Sequence, residues 1–481
     1  MPEFLYRFRS VEKLLGTTEI EGELQGHYVY FASPQQLNDP FEGYRELFFS
    51  GDAIAWGNLL KRYISCLIVR NYQYLLKFDL NEKDFPDAYN LRTLPPEISV
   101  PGQHTISKFL SNNNVQRHVK FLAESERKVT KEELIVHLSS LQVYAMKLVT
   151  GLYIKSGVKA VDTRLSKMDE SSSLQSSTAL LSVCERTGST SVDPAEAIMY
   201  VVALHSTESQ LFISNYKAYK ESGESNSWRN LVHSFISQFV ESLKKLSHRD
   251  WYTACFMESC SNSSIWGSYG NNHAGVCLKF KADNSDGAPK LSFVMPVALG
   301  PSGSIWNSTG LKFEKVQYDN SILDLDFFRS IGIYDHDTLL ENWYLNEKGD
   351  VSSCYSEFED KKGWIERYWT KRQLSITTKM QDWKNESEYR LILQNGMPDY
   401  YDSKNRCLSY NFNSLEGLIF GIRTPEIEKY ELIKVVEELC DKYHRAEFNI
   451  YQAYHDTNNK CIGYRPLLKV ECDKPKAQLK L

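Results

Sequence analysis

Phe4-Leu5-Tyr6-Arg7-Phe8-Arg9-Ser10 opens the readable part of the chain with apolar and basic side chains in alternation. A period of two is the signature of a strand, so Arg7 and Arg9 should leave one face and Tyr6 and Phe8 the other. Ser10 can cap a brief helix through Leu15, because its oxygen satisfies an orphan backbone N–H. His27-Tyr28-Val29-Tyr30-Phe31 is aromatic and β-rich. Ser33 to Gly43, with Asn38-Asp39-Pro40 at its centre, is dense in turn formers. The chain becomes β-rich again only from Tyr252, with candidate strands at 252–257, 275–281, 291–297, 311–318, 388–394, 407–412 and 416–420. A helix is expected at 426–443 and a strand at 447–454. The simplest architecture pairs segment 1–50 with these late strands. The alternative is three consecutive domains.

Residues 52–250 have a different texture. Ala55, Trp56, Leu59, Leu60, Tyr63, Ile64, Leu67 and Ile68 recur at helical spacing. Helical patterns return at 105–125, 131–157 and 227–246, and Asp193-Pro194-Ala195-Glu196 has the composition of a helix start. Residues 79–103, with four prolines, and the serine-rich 166–178 read as loops, and 320–380 as mostly helical. The expectation is an α+β fold: a mixed β-sheet core split between 1–50 and 251–455, an all-helical insertion at 51–250, and a tail at 456–481.

The bulk properties narrow the class of function. A net charge of −5 gives no broad basic field for a nucleic-acid backbone, although a local basic groove stays open. No stretch reads as a signal peptide or as a membrane span, so the expectation is a cytoplasmic protein without membrane contact. Ten scattered cysteines without a Cys-x-x-Cys pair point to buried thiols rather than a zinc site. The Gly-x-Gly-x-x-Gly, P-loop, His-Glu-x-x-His and Gly-x-Ser-x-Gly patterns are all missing from the sequence, which argues against common NTPases, zinc proteases and α/β-hydrolases.

Four separated segments, in order, carry a resemblance. They are Leu5 to Ser10; Tyr30 to Pro34 running into Leu37 to Glu42; Cys255-Phe256 with Ile265 to Gly270 and His273 to Phe280; and Lys379, Trp383, Glu386 and Glu388 to Leu391. Together they resemble a mainly bacterial family catalogued as domain of unknown function 2971. That name states no activity. More loosely, the order of elements is similar to ADP-ribosyltransferases, especially toxins that modify nucleic acid. Those enzymes use a His or Arg on the first strand, an aromatic or Ser in a middle strand region and a Glu on a late strand. The resemblance implies NAD as substrate, bound by Arg7 or Arg9 with Tyr6, Asn38, Asp39, Trp266, His273 and Arg390 nearby. It implies Tyr269 beside the nicotinamide, and Glu388, or else Glu386, as the catalytic carboxylate. It implies a toxin or anti-phage effector with a nucleic-acid or protein acceptor, restrained by a regulatory protein. The chemistry is consistent. Cleaving the nicotinamide–ribose bond builds an oxocarbenium-like charge, and one fixed carboxylate can lower such a barrier by about 3–4 kcal/mol.

Each residue has a plainer reading. Arg7 and Arg9 can be a solvated edge face or a structural ion pair. Asn38-Asp39-Pro40 can be a turn lock. Trp266 and Tyr269, at i and i+3 of a short helix, can simply pack, and His273 can be an exposed loop residue. Glu386, Glu388 and Arg390 alternate along one β-like stretch and can neutralise one another. Two other functions stay open. One is a nucleotide-binding sensor or interaction module without chemistry. The other is a divalent-metal nuclease built on Asp39, Glu42, Glu386 and Glu388.

Overall fold

The computed structural model describes residues 2–17, 19–75, 94, 96–124, 127–157, 166–187, 234–300, 303–394 and 400–471. The chain is an α+β protein made of two compact units. The first unit joins residues 1–44, 250–322 and 373–481, and the second joins 45–249 and 323–372. Strands are numbered along the whole chain.

Eight strands form the mixed sheet of the first unit: β1 (Phe4–Arg9), β5 (Trp251–Met257), β6 (Val276–Lys281), β9 (Glu314–Lys315), β13 (Glu388–Gln394), β15 (Leu415–Phe420), β16 (Glu447–Asp456) and β17 (Cys461–Glu471). Their spatial order is β17-β16-β15-β6-β1-β5-β13-β9. Only β15 and β16 run parallel, joined by the helix Glu426–Tyr443. That helix buries Leu432, Val436, Leu439 and Cys440, the stripe expected of one helical face, in a core that also holds Leu418, Phe420, Phe448 and Ile450. A separate cluster holds Phe8, Met257, Cys277 and Ile419 with Ile265 and Trp266 of the helix Ser263–Ser268. Three two-stranded pairs complete the unit: β2 (Tyr28–Tyr30) with β14 (Cys407–Ser409), β7 (Lys290–Gly300) with β8 (Gly303–Lys312), and β10 (Gln317–Tyr318) with β12 (Thr378–Lys379).

The sheet opens beside β1. Along β6, β1 is paired over all six residues from Phe4 to Arg9. Along β5 it is paired at a single position, Tyr6 opposite Met257. Farther along β5, Thr253 instead exchanges both backbone hydrogen bonds with Ala32, at 2.8 Å each. The two strands therefore part, and the gap between them is where the candidate site lies.

In the second unit, β3 (Arg45–Phe49), β4 (Val129–Thr130) and β11 (Leu323–Asp326) form a small sheet. Helices Ala53–Leu75, Ser99–Leu110, Asn113–Leu122, Lys131–Lys155, Gln175–Thr187 and Phe235–Ser247 account for most of its described residues. The core includes Trp56, Tyr63, Ile64, Phe109, Leu138, Tyr144 and Phe239.

Several elements differ from the sequence expectation. The pattern at 105–125 is two helices, separated where the Asn112 side chain accepts from Asn114 N and caps the second. Pro101 is inside a helix, in its first turn, where a missing N–H costs nothing. The serine-rich stretch is helical, because Asp169 caps Glu170–Ser173 and Leu180, Leu181 and Cys184 supply a buried stripe to the helix that follows. Within 320–380 the chain first forms β11. After Asp456 it turns at 457–460 and returns as β17 instead of trailing off as a tail, because Ile462 and Val470 find buried positions on the sheet. The helix start at Asp193 to Glu196 lies outside the described residues.

The second unit also buries a histidine pair. His118 Nδ1 is 2.8 Å from His137 Nδ1, and His118 Nε2 is 2.9 Å from Ser177 Oγ. His137 Nε2 faces Glu133 Oε1 at 3.6 Å, and Glu133 is also paired with Arg127. The most economical proton assignment puts N–H on His137 Nε2, toward the carboxylate, and lets His118 Nδ1 donate to His137 Nδ1. Burial pushes both imidazoles below their ordinary 6.5, with His137 adding to the effect on His118, and for His137 it outweighs Glu133. An unfolded chain would take up these protons near pH 6.5 while the folded one resists, so stability is complete above that pH and is lost as pH falls through it. The urea midpoint of the second unit should therefore drop between pH 7.5 and 5. In the double variant His118→Gln, His137→Gln that drop should be shallower, and equal slopes would exonerate the pair.

Candidate functional site

The turn after residue 38 is built by Asp39. Its Oδ1 accepts from Phe41 N at 2.9 Å and its carbonyl accepts from Glu42 N at 3.1 Å. This turn presents the Glu42 carboxylate to Arg390, whose Nη1 and Nη2 reach its two oxygens at 2.5 and 3.0 Å. Arg390 also donates through Nε and Nη2 to Glu388 at 2.7 and 3.2 Å and to the Ile376 carbonyl at 2.5 Å. Lys379 Nζ bridges Glu386 at 2.7 Å and Glu388 at 3.2 Å, lying 4.7 Å from the centre of the Trp383 ring. The Tyr269 hydroxyl donates to the other Glu386 oxygen at 2.5 Å. Tyr318 Oη accepts from Glu388 N at 2.8 Å.

The cluster holds three carboxylates and two cations, a surplus of one negative charge, in a buried setting. Burial alone would raise Glu388, but Arg390 and Lys379 outweigh it and bring its pKa down to about 2. For Glu42 and Glu386 burial wins over Arg390 and Lys379 respectively, and both are raised. Glu42 and Glu386 are therefore the carboxylates that take up a proton first as pH falls, while Glu388 stays ionised. Burial, and then Glu388, pushes up the Cys255 thiol, and burial, and then Glu386, pushes up the Tyr269 hydroxyl.

Across the parted strands lies a second charged group. Arg7, only 2% exposed, donates to the carbonyls of Cys255 at 3.2 Å and Tyr30 at 2.9 Å, and is 3.5 Å from Glu23. It thereby serves the Cys255 oxygen on β5, left over by the missing β1–β5 ladder, and the Tyr30 oxygen at the end of β2. Arg9 Nε reaches both Glu23 oxygens, at 2.8 and 2.9 Å. Two guanidiniums share one carboxylate, a surplus of one positive charge. The solvated-edge reading of the arginines is therefore corrected: β1 is an interior strand, and both arginines are ion-paired.

A cavity of about 590 Å³ joins the two charged groups. Of the residues singled out in the sequence, Tyr6, Arg7, Arg9, Asn38, Tyr269, Glu386 and Glu388 line it. The others do not. Arg390 is fully buried behind Glu388, and Asp39 is buried in its turn. Trp266 packs edge-on against Phe8 and donates to the Cys260 carbonyl at 2.7 Å. His273 ends a run of positive φ after Asn271 and Asn272, and its backbone bonds to Trp266 and Arg423. Glu386 precedes β13 in a tight turn closed by Ser387 at φ 45°, and still meets Glu388 through Lys379. Sequence reasoning gave Lys379 and Glu23 no role. The turn 381–386, which folds Lys379 back onto β13, and the loop holding Glu23 have no periodicity to reveal this. Among the described residues no group of three or more His, Cys, Asp or Glu side chains is placed to hold a metal ion, and no helix is long and apolar enough to cross a membrane.

No protein-family model, curated protein or solved structure matches this chain.

Replacing Glu388 by Gln leaves Arg390 and Lys379 short of a counter-charge. A broken buried pair of this kind costs about 3–5 kcal/mol. Because the folded pKa of Glu388 is lowered from 4.5 to about 2, its contribution is present above pH 4.5 and lost as pH falls toward 2. Urea unfolding should show the variant less stable at pH 7, with the difference from wild type narrowing between pH 4.5 and 2.

Proposed function

We propose that this protein belongs to the domain of unknown function 2971 family and cleaves the nicotinamide–ribose bond of NAD, either transferring ADP-ribose to an acceptor or hydrolysing NAD. The observation that carries the reading is the polarity of the cavity: a group of net charge +1 (Arg7, Arg9, Glu23) at one part of its lining and a group of net charge −1 around Glu388 at another. Glu12, Lys13 and Glu21 also line it, but they are exposed and screened by solvent. The volume falls within the range of small-molecule sites. The diphosphate would lie toward Arg9, and the nicotinamide ribose toward Glu388 and Tyr269. As the C–N bond breaks, its electron pair leaves with the nicotinamide, the ribose becomes oxocarbenium-like, and a hydroxyl or water adds and loses its proton. The negative surplus around Glu388 favours that developing charge. A toxin or anti-phage role, an intracellular setting and a restraining partner follow from the same reading.

One observation favours a second reading, nucleotide binding without chemistry. Both Glu388 oxygens are already held by Arg390 and Lys379, and the residue is 1% exposed.

Nicotinamide release from NAD, measured on wild type, Glu388→Gln and Tyr269→Phe, tests both. Loss of Glu388 should slow release by about 100-fold or more, with folding checked by circular dichroism. Tyr269→Phe, which deletes only a hydroxyl, should slow it less. Equal turnover removes Glu388 from the mechanism. NAD that raises the melting temperature but is recovered intact selects the binding reading, and neither binding nor turnover rejects NAD.

A further inference from the structure

Lys279 and Lys379 are the two buried lysines among the described residues of the first unit, and their surroundings contrast. Lys279 is 8% exposed, yet its ammonium has no carboxylate or hydrogen-bond partner among the described residues. Three rings surround it instead, those of Phe4, Tyr451 and Tyr464, with centroids 4.0, 5.4 and 5.6 Å from Nζ. Of the nearby charges, Lys469 is paired with Glu447 at 2.5 Å and Lys281 with Glu3 at 3.9 Å, while the Glu416 carboxylate accepts from the neutral Asn449 amide at 3.0 Å. At 8% exposure Lys279 keeps a small opening to solvent. Cation–π contacts repay only part of what burial costs an ammonium.

The sheet register brings the surrounding positions together. Lys279 is registered opposite Tyr6 on β1 and Gly417 on β15, which places the three positions side by side across the sheet. A Cβ at Gly417 would stand 2.5 Å from the Asn449 carbonyl oxygen and 2.9 Å from the Tyr451 ring, so glycine lets that ring lie against the sheet. Tyr451 and Tyr464 meet edge to face at 5.2 Å, and the hydroxyls of Tyr464 and Tyr6 lie 3.5 Å apart. Phe4, Tyr6, Tyr451 and Tyr464 are all only partly buried. A single unneutralised ammonium, two phenolic hydroxyls and half-open aromatic walls match a ligand that joins one anionic group to a planar ring.

We propose that Lys279, with Phe4, Tyr6, Tyr451 and Tyr464, forms a second binding site, taking a nucleobase-bearing phosphate such as a nucleoside monophosphate. The phosphate would neutralise Lys279 and accept from the Tyr6 and Tyr464 hydroxyls, and the base would lie against the aromatic rings. The site does not depend on the NAD reading, although Tyr6 also lines the larger cavity.

Equilibrium dialysis with adenosine 5′-monophosphate, adenosine and inorganic phosphate, on wild type and Lys279→Met, tests it. Because the monophosphate can also enter the larger cavity, the readout is the difference between the two proteins. Wild type should bind one more equivalent than Lys279→Met, with at least 10-fold weaker binding of adenosine and of inorganic phosphate at that extra site. Tyr464→Phe, which keeps the ring, should weaken that equivalent without abolishing it. Equal binding to wild type and Lys279→Met overturns the proposal. So does inorganic phosphate binding as tightly as the monophosphate, which would leave the rings no part. A Lys279→Met protein that is more stable, beside a wild type with no extra equivalent, makes Lys279 a structural residue and also overturns it.

Discussion

The first unit is organised around a guanidinium with no access to water. Arg390 is fully buried, and an isolated charge there would cost several kcal/mol. It is tolerated because donors on all sides of its planar head find acceptors: Glu388 two residues away, Glu42 from the early turn, and the Ile376 carbonyl. Those acceptors come from three separate stretches of chain. The geometry of a fork with fixed donor directions therefore imposes where residues 42, 376 and 388 must be, which a flexible lysine would do less well. The Asp39 turn serves the same end, since it is what delivers Glu42.

Arg7 performs a comparable task at the other charged group. Parted strands leave backbone carbonyls without ladder partners, and such groups must be satisfied when buried. By donating to Cys255 and Tyr30, Arg7 lets the sheet stay open at β1 without that penalty. Glu23 then holds Arg7 and Arg9 together despite their like charge. Side chains on β1 and the loop after it thus line the opening that the cavity occupies.

What the residues disclosed in advance was mostly periodicity. The stripe in helix 53–75, the helix 426–443 and the strand 388–394 could be read because burial imposes a repeat of 3.6 or 2 on the apolar positions. The alternation in Leu5 to Arg9 placed Arg7 and Arg9 together, and they do share a carboxylate. Its identity as Glu23 could not be read, because a loop residue carries no repeat. The return strand 461–471 was missed because Arg465, Pro466 and Lys469 hide a pattern in which only Ile462 and Val470 are buried. The serine-rich helix was missed for a related reason: serine competes for local backbone bonds and reads as loop until a cap at Asp169 and a buried stripe commit it. Asx geometry at Asp39 was readable as a turn. That the turn exists to aim Glu42 at a residue almost 350 positions away was not, since long-range ion pairing leaves no local trace.

The two buried lysines of this unit make the final contrast. Lys379 sits against two carboxylates that share its charge, so its environment is complete without any ligand. Lys279 sits against rings alone. Apolar residues often replace a buried ion pair at little cost, so a lysine kept without even a partner asks for a reason in something that binds. The same reasoning applied to Lys379 points the other way. A group whose charge is already balanced positions its neighbours, and here it fixes the spacing of Glu386 and Glu388. The charged interior of the first unit is thus a scaffold where it is neutralised, and open to a ligand where it is not.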